Sequence, residues 1–336
     1  MAYQLTDKIV IGVSSRALFD LTEENEIFEN QGVEAYCRYQ VEHEQDILKP
    51  GPGFTLIKEL LRLNELVEGK DPIEVIIMSR NSPDTSLRVF NAIQHYGLKI
   101  TRAVLASGAS LAPYLTAFQT DLFLSAYEDD VQCAIDSGIA AGIICTEHIP
   151  EGVMPQKSFA EVQSRHGLNN LTDFPGKRET IRIAFDGDAV LFTDESEQIY
   201  QVSGLNAFEA NEAKMAGTPL EEGPFAQFLK KLSDLQKEIG ENCPIRTALV
   251  TARSAPAHER VIRTLRAWNV RVDEAFFLGG LEKKEFLRAF GAQIFFDDQS
   301  VHTLSASQAV PAARVPYRRR KKKESFADEI PTYRTG

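Results

Sequence analysis

Apolar residues along the chain fall into short β-branched runs, separated by stretches in which they recur at helical spacing. Val75 to Met78, Ala248 to Val250 and Ile181 to Phe185 are runs of the first kind and predict strands. Thr85 to His95, Phe225 to Ile239 and Ala257 to Trp268 have the second spacing and predict helices. Strands that alternate with helices imply a parallel sheet covered on both faces.

The pattern occurs twice. Shifted by 172 positions, the first half lies on the second without a gap at many landmarks. Ile27-Phe28 falls on Ile199-Tyr200, Gly51-Pro52 on Gly223-Pro224, and Tyr96 on Trp268. Gly108 falls on Gly280, and Leu115 to Phe118 on Leu287 to Phe290. One register held over most of both halves points to an internal duplication. The expected units are 1–145, a linker at 146–179 rich in proline and glycine, 180–317, and a tail at 318–336 that opens on six basic residues. Such a charge run reads as a solvated tail. An insert at about 203–241 interrupts the second unit, and Leu205 to Gly217 within it is a candidate lid.

Composition narrows the function classes. A 336-residue chain with 43% hydrophobic and 25% charged residues is that of a soluble globular protein with large cores. A formal charge of −11 argues against general nucleic-acid binding. No apolar run is long enough for a membrane span, and the N-terminus has no signal-peptide core. The four cysteines have no CxxC spacing and read as reduced thiols of a cytoplasmic protein.

Candidate chemistry gathers at strand ends of the second half. Ile181 to Phe185 runs into Asp186-Gly187-Asp188, and Ile294 to Phe296 runs into Asp297-Asp298. Two carboxylates about 4 Å apart repel by roughly 4 kcal/mol at an effective dielectric of about 20. Acids held at one sheet edge therefore call for a cation. Oxygen ligands, with no cysteine or histidine cluster nearby, favour Mg²⁺ over Zn²⁺. The strand Leu249-Val250 ends in Thr251-Ala252, whose hydroxyl and backbone N–H can hold a phosphate, although a helix N-cap explains the threonine equally well. Lys283 opens a helix after Gly279-Gly280, next to a second lysine, Lys284. A carboxylate nucleophile, a cation, a lysine and a hydroxyl suit phosphoryl transfer.

These four pieces resemble the signature of the haloacid dehalogenase-like phosphohydrolases. A closer resemblance covers most of the chain. Val13 to Phe19, Phe185 to Phe192, Val250 to Ser254 and Phe295 to Gln299 are similar to the cytosolic 5′-nucleotidase type I family. At Leu281-Glu282-Lys283-Lys284 the chain departs from the family's small residue and proline before the lysine. The resemblance implies an α/β fold of two tandem Rossmann-like, haloacid dehalogenase-like modules with a small helical cap. It implies Mg²⁺-dependent hydrolysis of nucleoside 5′-monophosphates such as AMP through an aspartyl-phosphate. Asp186 would be the nucleophile and Asp188 the general acid and base. Thr251, Ala252 and Lys283 would bind the phosphate. Asp186, Asp188, Asp297 and Asp298 would form the metal site, with Asp188 contributing its backbone carbonyl.

Two alternatives stay open: a phosphatase for another small phosphomonoester, and a non-catalytic nucleotide-binding or sensing protein. At the same shift, Ser14, Arg16, Leu111, Ser125 and Ala126 stand where the second half has Asp186, Asp188, Lys283, Asp297 and Asp298. The first half is thus either a structural partner that walls the catalytic cleft, or a second anion site for a nucleotide effector, built from Ser14, Ser15, Arg16, Ser79 and Arg80. Oligomeric state, including a homo-oligomer, is left open by the sequence.

Overall fold

The computed structural model describes residues 4–67, 70–146 and 180–318. The expected linker and tail lie outside the described residues, save for Thr146 and Arg318. Ten strands form one sheet in the order β3-β2-β1-β4-β5-β10-β9-β6-β7-β8. The first five are β1 (Ile9–Val13), β2 (Ile73–Ser79), β3 (Arg102–Leu105), β4 (Leu122–Ser125) and β5 (Ala140–Ile144). The second five are β6 (Ile181–Phe185), β7 (Ile245–Thr251), β8 (Glu274–Phe277), β9 (Ile294–Asp297) and β10 (Ala312–Arg314). Each strand of the second set begins 172 positions after its counterpart. The registers match as well: Ile9 faces Ile73 as Ile181 faces Ile245, and Ile11 faces Leu122 as Ile183 faces Ile294.

Eleven α-helices accompany the strands among the described residues. They are α1 (Ser15–Leu18), α2 (Thr22–Glu42), α3 (Phe54–Leu66), α4 (Leu87–His95), α5 (Ala112–Ala117) and α6 (Glu128–Asp136), then α7 (Glu195–Lys214), α8 (Ala226–Ile239), α9 (His258–Ala267), α10 (Lys284–Phe290) and α11 (Ser300–Ser307). The apolar stripe read at Phe225 to Ile239 becomes α8, which buries Phe228, Leu229, Leu232 and Leu235. Helices α2 and α7 each break at a glycine with positive φ, Gly32 and Gly204, and so fold as helical pairs. Helix α7 begins at Glu195, ahead of the 203 at which the insert was expected to start.

The sheet differs in one respect from two separate modules. Strands β5 and β10 pair antiparallel and weld the halves into one surface. Each would otherwise be an open edge with unpaired backbone groups, and pairing removes both edges. Gly142 permits the approach: a Cβ there would lie 2.9 Å from Ala313 Cβ and 3.2 Å from the Phe296 ring. One continuous apolar core spans both halves, from Ile11 and Phe123 to Phe185 and Phe296.

The antiparallel junction also decides where ligands can sit. Open α/β sheets bind ligands beyond the carboxyl ends of their strands. Those ends emerge at opposite edges in the two halves. The first half therefore does not wall the second half's cleft with its own strand ends. What it offers there is α6, whose Gln132 Nε2 donates to the Tyr317 carbonyl at 3.0 Å.

Candidate active site

Strands β6, β7 and β9 are the central strands of the second half, and their apolar residues are buried. Sheet burial thus fixes the residue that follows each strand. Asp186 follows β6, Thr251 closes β7, and Asp297 closes β9. Oxygens of Asp186, Asp297 and Asp298 all lie within 4.8 Å of one another, and all three residues are buried.

Lys283 enters this group from the turn before α10. Its Nζ lies 2.9 Å from Asp186 Oδ1 and 2.6 Å from Asp297 Oδ2. The lysine is buried, yet the two carboxylates outweigh the desolvation and raise its pKa. Lys284 instead donates to Gln308 Oε1 on the exposed side, which separates the two lysines. Burial raises the Asp186 carboxyl well above the usual range, with Lys283 opposing the rise and Asp297 and Asp298 adding to it. Burial also acts on Asp297, but hydrogen bonding from His302 and the charge of Lys283 win, and its pKa is lowered. Desolvation pushes Asp298 up to about 7. Tyr317 Oη donates to Asp298 Oδ2, while Asp298 Oδ1 is buried without a hydrogen-bond partner.

That orphaned oxygen is the test of fit for a metal. A buried acceptor without a donor costs about 1–3 kcal/mol. Three acids are offset by one lysine, and a divalent cation with oxygen preference would correct both deficits. Asp186, Asp297 and Asp298 fit such an ion.

Thr251 is buried, and its Oγ1 accepts the backbone N–H of Arg253 at 3.2 Å. A Cβ on Gly187 would stand 3.3 Å from that hydroxyl, so glycine keeps the space between Asp186 and Thr251 clear. Ala252 lies exposed in the turn just after β7. The carboxylate of Asp188 is not among the clustered acids. It is held at both oxygens by Arg253, with Nε to Oδ2 at 2.8 Å and Nη2 to Oδ1 at 2.6 Å.

Sequence reasoning missed four side chains. His302 Nδ1 lies 3.2 Å from Asp297 Oδ2, although the histidines show no ligand spacing. Arg253 reaches Asp188 and, through Nη1, Glu212 at 2.5 Å. Glu212, fully buried on α7, also takes Arg260 at 2.8 Å and Ser196 at 2.9 Å. Tyr317 closes the Asp298 side from the foot of the basic run. Only Arg253 had a local signal, two residues past Thr251.

The opposite edge of the sheet holds the five residues of the expected anion site. Ser15 Oγ and Ser79 Oγ are 2.7 Å apart. Ser14 caps α1 by accepting from Ala17 N. Arg80 binds Asp130 through Nε and Nη2, both at 2.8 Å. Arg16 lies over the Tyr127 ring at 5.4 Å. The serines and Arg80 thus already have partners within the protein.

Residues 1–322 match the profile of a protein family described as 5′-nucleotidase. The human protein Cytosolic 5′-nucleotidase 1B is 37% identical over 311 residues, which cover 89% of this chain and 47% of that protein. The chain therefore spans about half the length of this curated relative. Among solved structures, a chain of the Pnkp1/Rnl/Hen1 complex matches at 13% identity and a TM-score of 0.29, over 93% of this chain and 97% of that one. Likeness at that level carries no argument about fold or function.

Proposed function

The chain belongs to the 5′-nucleotidase family, and from that premise we propose that it hydrolyses nucleoside 5′-monophosphates such as AMP to nucleoside and phosphate. The observation that carries this reading is Asp186, buried at the end of β6 between Lys283 and the acids Asp297 and Asp298. A carboxylate so placed can act as a nucleophile once its own charge and that of the phosphate are offset. Mg²⁺ is the proposed metal, held by Asp186, Asp297 and Asp298. Bound there, it would neutralise the clustered acids and the phosphoryl oxygens.

The protein's own groups do the rest. Thr251 Oγ1 and the backbone N–H of Ala252 orient the phosphoryl oxygens. Asp186 attacks phosphorus, the P–O5′ bond breaks, and Asp188 gives its proton to the leaving O5′. A water then attacks the aspartyl-phosphate and passes its proton to Asp188. The bond between phosphorus and Asp186 breaks, and phosphate leaves with the nucleophile restored. Lys283, fixed by two carboxylates, holds positive charge beside the reacting oxygens throughout.

The matching strand bounds and registers support a duplication, with units at 1–145 and 180–317 joined by the segment 146–179. Helix α7 is proposed as the cap. The first half is proposed as a structural partner, because Arg80 is engaged by Asp130 and Ser15 by Ser79. The curated relative is named cytosolic, and the cytoplasm is the proposed compartment here.

Phosphate release across nucleoside monophosphates and sugar phosphates, with Mg²⁺ and with chelator, tests the reading. Nucleotides should be turned over only with the metal. A preference for sugar phosphates, or turnover in chelator, would reject it.

A further inference from the structure

Among the described residues, one cation pairs with the Asp188 carboxylate, and it is Arg253. Arg253 grips both its oxygens, at 2.8 and 2.6 Å. Arg253 is itself buried and is held from behind by Glu212 at 2.5 Å. Glu212 is fully buried on α7 and is pinned by Arg260 and Ser196. A fork of this kind fixes direction as well as distance. The network runs from the cap helix, through the turn after β7, to the carboxylate two residues past the proposed nucleophile.

The first half supplies a control for whether such a network is merely structural. Its helical pair, α2, has the same glycine break as α7 and the same edge-to-face aromatic pair, Phe28–Tyr36 against Tyr200–Phe208. Its buried arginine is also kept: Arg88 stands where the second half has Arg260. What differs is the acid. In the first half Glu24 binds Arg88, while Gln40 occupies the place of Glu212 and Ser196 that of Glu24. Asn81 replaces Arg253, and Arg16 replaces Asp188. One acid of the helical pair suffices to neutralise this buried arginine, which lies on α4 in the first half and α9 in the second, from either position. Only position 212 also reaches Arg253. The three charged members, Asp188, Arg253 and Glu212, are thus present together in the half with the clustered acids and absent together in the other.

We propose that Arg253, anchored by Glu212 of α7, is the positioning residue that aims the Asp188 carboxyl at the leaving O5′ and then at the attacking water. This rests on the acid–base role proposed above for Asp188. The double anchor has a specific use: Glu212 holds the guanidinium from behind, so the arginine keeps its place while it orients the Asp188 carboxyl. The cap is tied to the acid by the same contact.

The test compares leaving groups. p-Nitrophenolate departs without a proton, whereas a ribose alkoxide needs one. Arg253→Gln should slow AMP hydrolysis by about 10²- to 10³-fold, within the usual range for general acid–base catalysis, with KM changed by less than about threefold. The pre-steady-state burst of p-nitrophenolate, one per active site, should keep its rate within about tenfold. Glu212→Gln should give the same bias at smaller size, and it carries the test alone should Arg253→Gln not fold. Arg253→Gln combined with Asp188→Asn should be about as slow on AMP as Asp188→Asn alone. Equal loss of the burst and of AMP turnover in the Arg253 and Glu212 variants, or no loss in either, overturns the proposal. Asp188→Asn is the separate check on the premise: if that variant shows no leaving-group bias, the acid–base role itself is wrong.

Discussion

Strand β1 ends in Ser14-Ser15-Arg16, and strand β6 ends in Asp186-Gly187-Asp188. The strands have the same length, the same neighbours and the same registers. The turns that follow do not match. Phe19 N bonds back to Ser15 O and closes a helical turn, whereas Phe192 N bonds back to Gly187 O, one residue further away. The extra residue is taken up at Ala189, whose φ of 61° is the left-handed conformation that alanine adopts reluctantly. A tight, low-strain turn follows the serines and a wider, strained one follows the aspartates. Backbone strain of this kind persists where the surroundings enforce it, often at reacting groups. The fold thus tolerates either turn, and the acids and the strain occur together.

The sharpest way to break this comparison is to exchange the first residue of each turn for a neutral isostere. Asp186→Asn should lower Mg²⁺-dependent phosphate release by on the order of 10⁴-fold or more, as removal of a nucleophile does. Ser14→Ala should leave turnover within about twofold, since its hydroxyl only caps α1. A retained rate in Asp186→Asn, measured by phosphate release, would sink the nucleophile assignment.

Next in size is Lys283, where the first half has a buried leucine, Leu111. Lys283→Leu transplants that solution and leaves Asp186 and Asp297 without their cation. Removing one partner of a buried pair costs about 3–5 kcal/mol, and losing a charge-stabilising donor costs about 10²- to 10³-fold in kcat. Urea unfolding in chelator reads the first effect and steady-state kinetics the second. A protein of unchanged stability in chelator would mean that the acids do not need the lysine.

Much of this contrast was legible in the chain because it is local. Apolar runs located β6, β7 and β9, and the candidate residues Asp186, Thr251 and Asp297 stand at their ends. The structure then separated Lys283 from Lys284 by burial, which spacing could not do. The antiparallel β5–β10 junction was not legible, because Ala140–Ile144 and Ala312–Arg314 are short and carry no signal for which edge each will meet. Small size at Gly142 and Ala313 permits the contact but does not announce it. Arg253 and Glu212 are 41 residues apart, and no periodicity links them. Tyr317 was hidden by the basic run beside it, which reads as solvated although its first neighbour closes on Asp298.

Asp298 gives a smaller test, against Ala126 in the first half. Its carboxyl is raised from 3.8 to about 7, by burial first and then by Asp297 and Glu197 against the Tyr317 hydrogen bond. A carboxyl raised on folding keeps its proton after the unfolded chain has released it. Its contribution is therefore fully present below about pH 4 and is lost as pH rises toward 7. At 1.36 kcal/mol per unit, the loss in metal-free protein is at most about 4 kcal/mol. Asp297, whose pKa is lowered, acts in the opposite sense and below this window. Asp186, also raised by burial, acts in the same sense as Asp298, so urea midpoints in chelator should fall between pH 5 and 7, Asp298→Ala should reduce the fall, and Mg²⁺ should reverse it. A flat profile in the unaltered protein would show that Asp298 is ionised without a metal.

The smallest expected effect concerns the opposite edge of the sheet. If the first half is a structural partner, its cations serve the fold and not a ligand. Arg80 already has a bidentate carboxylate in Asp130, and that carboxylate is buried. A phosphate that displaced it would leave a buried anion unpaired, a change that costs several kcal/mol. Arg16 is the freer of the two, lying on Tyr127 beside a cavity of about 10 Å³ that also touches Asp20 and Thr22. That volume holds about one water, far below what a nucleotide needs. Calorimetry with AMP on Asp186→Asn protein should therefore give one site per chain, with stoichiometry and affinity unchanged by Arg16→Ala. A second site that disappears in Arg16→Ala would reverse the comparison and make the half without acids a nucleotide sensor.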